Sequence, residues 1–119
     1  MIDWDKFNEF LGGYDKALIT ELIIMFIRDY PERIAVLENN VKSKDFPALD
    51  INAHTLKSNC AMLGATEAAE QALGLEMMGK NQTDEGMDHV LTGLKASLGQ
   101  MAVELKAYLK EHSGQPGKR

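Results

Sequence analysis

Apolar residues recur at helical spacing along most of the chain. The most regular run is Met87, Leu91, Leu94, Leu98, Met101, Leu105 and Tyr108. Its steps of four and three keep one face apolar and predict a helix reaching about His112. A second, narrower stripe, Leu49, Ala53, Leu56, Cys60 and Leu63, predicts a helix that starts at Asp45, tolerates Pro47 in its first turn and ends at Gly64. Thr66, followed by Glu67, Ala68 and Ala69, starts another helix expected to run to about Gly79. The connection between these two helices is so short that they must lie antiparallel as neighbours. Asn81 to Glu85 reads as a polar loop, with Thr83 or Asp84 as the cap of the last helix.

Upstream, residues 15–41 carry a long helical pattern with Leu18, Leu22, Met25 or Phe26, Ile34, Leu37 and Val41 as apolar contacts. Pro31 predicts a kink, or two helices meeting at Tyr30-Pro31, because proline removes a helical hydrogen bond and crowds the preceding turn. Residues 39–44 are polar and read as the connection to the next helix. Asp3 can cap a short helix in which Trp4, Phe7 and Leu11 share a face and which Gly12-Gly13 stops, a lid on one end of a core. No segment alternates as a strand does, and no βαβ unit or internal repeat is visible. The fold class is therefore all-α: an antiparallel four-helix bundle with a short additional N-terminal helix. The bundle domain is expected over residues 1–112. A tail over 113–119, containing Gly114, Pro116 and Gly117 and no apolar side chain, is expected to be disordered.

Composition narrows the function. With 119 residues, 45% of them hydrophobic and 26% charged, the chain suits one soluble domain and not a disordered segment. The net charge of −5 argues against nucleic-acid binding, which needs a basic patch. No apolar run approaches the ~20 residues of a membrane span, and no secretory leader is visible. The single cysteine rules out an internal disulfide and suits a reducing cytoplasm. No glycine-rich phosphate loop supports ATP binding. Neither His54 nor His89 has a glutamate three residues before it, so the di-iron bundle pattern is absent. Cys60 falls on the apolar stripe, where an inert buried thiol is expected. His89 and His112 read as surface residues near helix ends, and Met87 and Met101 as core.

His54 is different. At about 100° per residue it points roughly 140° away from the centre of the apolar stripe of its helix. Its own face carries Asp50, Ile51, Lys57, Ser58, Ala61 and Ala65, with Met62 close by. A solvated face is ordinarily dense in long charged side chains, whereas this one is low and partly apolar, a landing surface around an exposed imidazole. Taken alone, an exposed helical histidine is ordinarily just a solvated residue.

The surrounding residues carry a resemblance. Ala53-His54-Thr55-Leu56-Lys57 and Leu63-Gly64-Ala65 match, in order and spacing, the pattern of the histidine-containing phosphotransfer (HPt) family of two-component phosphorelays. The likeness continues through Phe26, Pro31, Ile34, Leu37, Asp45 and Ala48 upstream and Leu75-Glu76 downstream, while the last helix matches only in periodicity. Ser58 departs from the pattern, standing where the family has a glycine that lets a partner approach. Serine is the next smallest polar choice, so a slight reduction of access is the most that is expected.

The resemblance implies that His54 is the phosphoacceptor, its Nε2 attacking the aspartyl phosphate of a receiver domain, in a carrier that is not itself an enzyme. Lys57, one turn away, would pair with the phosphoryl oxygens. Glu76, on the adjoining helix, would hold the other ring nitrogen, the competing reading being a plain surface carboxylate. Ile51, Ser58, Ala61, Met62 and Ala65 would form the docking surface. The implied partners are receiver domains, a hybrid histidine kinase being one source of them. No cofactor is implied in this chain, with Mg²⁺ belonging to the receiver, and a cytoplasmic monomer is expected. The alternatives are a catalytically silent helical adaptor that binds receivers, and the phosphoacceptor module of a larger histidine kinase.

Overall fold

Short caps rather than long loops divide the chain into helices. The computed structural model describes residues 1–112, which form α1 (Trp4–Leu11), α2 (Lys16–Ser43), α3 (Phe46–Met62), α4 (Thr66–Asn81) and α5 (Met87–His112). No strand occurs among the described residues. The expectation for residues 113–119 lies outside them. Asp3, Asp15 and Asp45 each accept hydrogen bonds from the free N–H groups of the first turn that follows, the satisfaction a helix start requires. Lys44, at φ 55°, ends α2 by donating back to Asn40 and Val41.

α2 packs against α3 and α5, α3 against α4, and α4 against α5, so the four long helices close a ring around one core. The stripes read from the sequence on α3 and α5 line it: Leu49, Ala53, Leu56, Cys60 and Leu63 are buried, as are Met87, Leu91, Leu94, Leu98, Met101 and Leu105. α1 lies against α3, burying Phe7 and Leu11. Trp4 stays at the edge, stacked on Tyr108 with ring centroids 5.3 Å apart.

α2 departs most from expectation. Its buried apolar positions are Ile19, Ile23, Phe26, Leu37 and Val41, while Leu18 is 46% exposed and Met25 is also exposed. Between Leu18 and Ile27 nearly every position is apolar, so periodicity cannot choose the inward face and the neighbouring helices decide it. One continuous helix runs through Pro31, which excludes two helices meeting there; the proline sits on the exposed side. Residues 39–43 are helical rather than a linker. Asn40 is buried because its Oδ1 accepts from Nδ2 of Asn52 on α3 at 2.9 Å. Neither Thr83 nor Asp84 caps α5. Gly86, at φ 83°, turns the chain into that helix, and Asp84 pairs with Lys44 at 2.8 Å.

Two glycines act by close approach. Gly64, at φ 77°, sits beneath α1: a Cβ there would fall 2.5 Å from the Asp3 carbonyl oxygen and 2.8 Å from the Phe7 nitrogen. The N–H of Asp3 donates to the Gly64 carbonyl at 2.8 Å. Gly79 does not end α4, which continues to Asn81. It lies against α3, where a Cβ would come within 2.8 Å of the Asp50 nitrogen and 2.9 Å of the Phe46 oxygen.

Candidate functional site

The backbone approach at Gly79 decides which side chains meet across the α3–α4 seam. One turn before Gly79 on α4, Glu76 faces His54 and Lys57 of α3. Its Oε2 lies 3.0 Å from His54 Nδ1 and its Oε1 2.9 Å from Lys57 Nζ. Lys80 Nζ stands 3.7 Å from the same Oε2 and reaches back across the seam to Asp50, 3.0 and 3.2 Å from its two carboxylate oxygens. The five side chains form one network of two ammonium groups, two carboxylates and an imidazole.

Exposure divides the network by task. The His54 side chain is 58% exposed, whereas that of Glu76 is 6% exposed. Glu76 is thus no surface carboxylate. Burial by itself would favour its neutral form, but the Lys57 ammonium outweighs that, and with the His54 contact it holds the carboxyl below its ordinary value. An ionised carboxylate can only accept hydrogen bonds, so the proton of the Glu76–His54 contact belongs on Nδ1. In the neutral ring this leaves the lone pair on Nε2, the nitrogen that Glu76 does not hold.

The expected residues do not all fall where helix arithmetic put them. Lys57 does not stand free beside His54; its ammonium is engaged by Glu76. Ile51, Ser58 and Ala61 are exposed on the His54 face. The Ser58 hydroxyl donates to the His54 carbonyl at 3.2 Å, which turns it down along its own helix. Met62 is half-buried at the edge towards α2, beside Leu22, Met25 and Asn59. Ala65 is a correction. At 3% exposure it belongs to the core, because α3 ends at Met62 and the turn over residues 63–65 runs inward, so helical spacing cannot be extrapolated past Gly64.

Cys60 is buried, and the loss of solvation pushes its thiol up to about 12. His89 is exposed. His112 stacks on Tyr108 with centroids 4.0 Å apart, and its Nδ1 bonds the Tyr108 carbonyl oxygen at 2.9 Å. Neither joins the network around His54. Among the described residues no group of three His, Cys, Asp or Glu side chains converges as a metal site would, and no helix is long and apolar enough to cross a membrane.

The sequence did not point to Lys80, to the close approach at Gly79 or to the role of Asp50. Partial signals were present: Asp50 lies four residues before His54 and Lys80 four after Glu76, the spacings that put side chains on one helix face. What spacing could not supply was the register between α3 and α4. A family model described as Hpt domain matches residues 21–112, leaving α1 and the first residues of α2 outside the match. Comparison with curated proteins gives no match.

Proposed function

The chain belongs to the Hpt domain family, whose members carry phosphoryl groups on histidine in phosphorelays and interact with receiver domains, and on that premise we propose that His54 is its phosphoacceptor. It takes the group from the phosphorylated aspartate of one receiver and gives it to another, as a monomeric cytoplasmic carrier. The observation that carries this reading is the exposed His54 ring, whose Nδ1 lies 3.0 Å from the buried carboxylate of Glu76.

In the forward step the Nε2 lone pair attacks phosphorus. The N–P bond forms as the O–P bond of the acyl phosphate breaks, and the electron pair of that bond leaves on the receiver's aspartate. Nδ1 keeps its proton, so the ring becomes a phosphoimidazolium and its charge faces Glu76. Lys57, one turn away on the same helix, is the cation proposed to meet the phosphoryl charge. The partner receiver brings the Mg²⁺ of its own site, and this chain adds no cofactor. Ile51, Ser58 and Ala61, with Met62 at the edge, form the surface on which the receiver seats; truncation there is predicted to weaken docking more than chemistry.

Incubating phosphorylated receivers with wild type and with His54→Gln tests the assignment. Label is expected on wild type and absent from the variant, as an acid-labile, base-stable phosphate. Equal labelling of both would remove His54 from the mechanism. Tight receiver binding with no label on either would make the chain a silent adaptor.

A further inference from the structure

Glu76 carries one buried negative charge and has two lysines within reach, of which only Lys57 makes a close ion pair. Lys57 is also the lysine that the reaction proposed above calls away. An arriving phosphoryl group brings roughly two negative charges to a point one helical turn from its ammonium. A buried carboxylate that loses its cation is driven towards the protonated form. Protonation would turn Glu76 from an acceptor at His54 Nδ1 into a donor. The imidazole proton would then shift to Nε2 and remove the nucleophile. The site needs a cation for Glu76 that does not depend on Lys57.

Lys80 has that geometry. It stands 3.7 Å from Glu76 Oε2, a long ion pair with room to shorten. Asp50, one turn before His54 on the facing helix, moors its ammonium at 3.0 Å. The near contact of the two backbones at Gly79 brings the lysine and the aspartate together. We infer that Lys80 is a positioning residue for the phosphotransfer proposed above: a second counter-charge, held ready by Asp50, that closes onto Glu76 when Lys57 turns to the phosphoryl group. The exchange breaks no covalent bond and moves no proton. Glu76 passes from Lys57 to Lys80, and Nδ1–H of His54 keeps its acceptor throughout. The phosphoimidazolium itself faces the same carboxylate, so Glu76 is never left without positive charge on two sides.

The inference rests on the phosphotransfer reading, yet its first test needs no phosphate. The Glu76 carboxyl is followed by ¹³C NMR across pH, and the His54 ring nitrogens by ¹⁵N NMR, in wild type, Lys57→Met, Lys80→Met and the double variant. Methionine keeps the length of the stem, and thermal unfolding reports whether each variant is folded. With Lys80 in reserve, Lys57→Met keeps Glu76 ionised at pH 7 and Nδ1–H as the main tautomer. Only the double variant moves the carboxyl titration sharply upward and depletes that tautomer. If Lys57→Met alone moves both as far as the double variant does, the reserve role is overturned.

The second test uses the receiver that loads wild-type His54 fastest in a purified panel. Lys80→Met should lower the maximal transfer rate on the order of tenfold, about 1.4 kcal/mol in the barrier, with the half-saturating receiver concentration unchanged. Lys80→Arg should restore the rate. A wild-type rate in Lys80→Met overturns the inference, as does a change confined to half-saturation. If no receiver labels wild type, the phosphotransfer reading is what fails, and the NMR titration still decides whether Lys80 stands in for Lys57.

Discussion

Cys60 on α3 and Glu76 on α4 are both buried acids, and their acidities move in opposite directions. The thiol is cut off from water and is pushed up to about 12 by burial. The carboxyl is held below its ordinary value because the Lys57 ammonium and the His54 ring are within hydrogen-bond reach. Burial alone silences an ionisable group; burial beside fixed cations keeps it charged and strengthens its contacts. The two faces of α3 follow the same division. Its inward stripe contributes cohesion, and its outward face, closed by Glu76, contributes an oriented imidazole.

The comparison predicts that the two faces can be damaged separately. The largest expected effect is on stability. Leu56→Ala, at a fully buried position, should cost about 2–5 kcal/mol in denaturant unfolding while transfer per folded molecule stays at the wild-type rate. A parallel loss of transfer would show that the inward stripe also sets the site. Gly79→Ala should damage both faces at once. Alanine favours helix by up to about 1 kcal/mol, but its Cβ would meet the Asp50 and Phe46 backbones at 2.8 and 2.9 Å. Backbone cannot yield as a side chain does, so a net loss of about 1–3 kcal/mol is expected, together with slower transfer.

Glu76→Gln sharpens the comparison from the other side. It keeps the shape and removes the charge, and transfer is expected to fall roughly 10- to 100-fold, about 1.4–2.7 kcal/mol in the barrier, with a loss of stability at pH 7 because the ion pair with Lys57 goes with the charge. The pH dependence has a definite sign. Since the folded state lowers the Glu76 pKa from 4.5, its contribution is present above that value and is lost as pH falls through the lower folded value. Wild type should therefore lose stability on acidification below about pH 4.5 more steeply than Glu76→Gln does, as read by denaturant midpoints across pH. Cys60 should show the opposite limb. With its pKa raised from 9.0 to about 12, its contribution is present below pH 9.0 and lost as pH rises towards 12, and Cys60→Ala should abolish that part of the alkaline decline.

The smallest effect is expected at Ser58. Its hydroxyl is already bonded to the His54 carbonyl, so Ser58→Gly should change transfer by less than about threefold while costing about 0.3–0.5 kcal/mol of helix stability. A tenfold gain in transfer would mean that the hydroxyl obstructs the receiver.

Where apolar spacing was sparse and regular, as on α3 and α5, the sequence was enough to name most of the buried stripe, although Tyr108 at its end is only half-buried and the buried Ala102 falls outside it. On α2 it was not, since the apolar run from Leu18 to Ile27 offers several faces and packing selects among them. His54 and Glu76 could be named from a motif, and the exposure of His54 follows from helix spacing, whereas the burial of Glu76 does not. The network that joins them could not be, because Lys80 and Asp50 meet only through the α3–α4 register fixed at Gly79. Ala65 failed for a related reason, since periodicity says nothing once the helix has ended.

The central claim is that Glu76 holds Nδ1–H of His54 and leaves Nε2 to react. The most direct measurement is the ¹H–¹⁵N and ³¹P NMR spectrum of ring-¹⁵N-labelled protein after loading by a phosphorylated receiver. The account predicts phosphorus bonded to Nε2 of His54, with Nδ1 still protonated. Phosphorus on Nδ1, or on any residue other than His54, would contradict it.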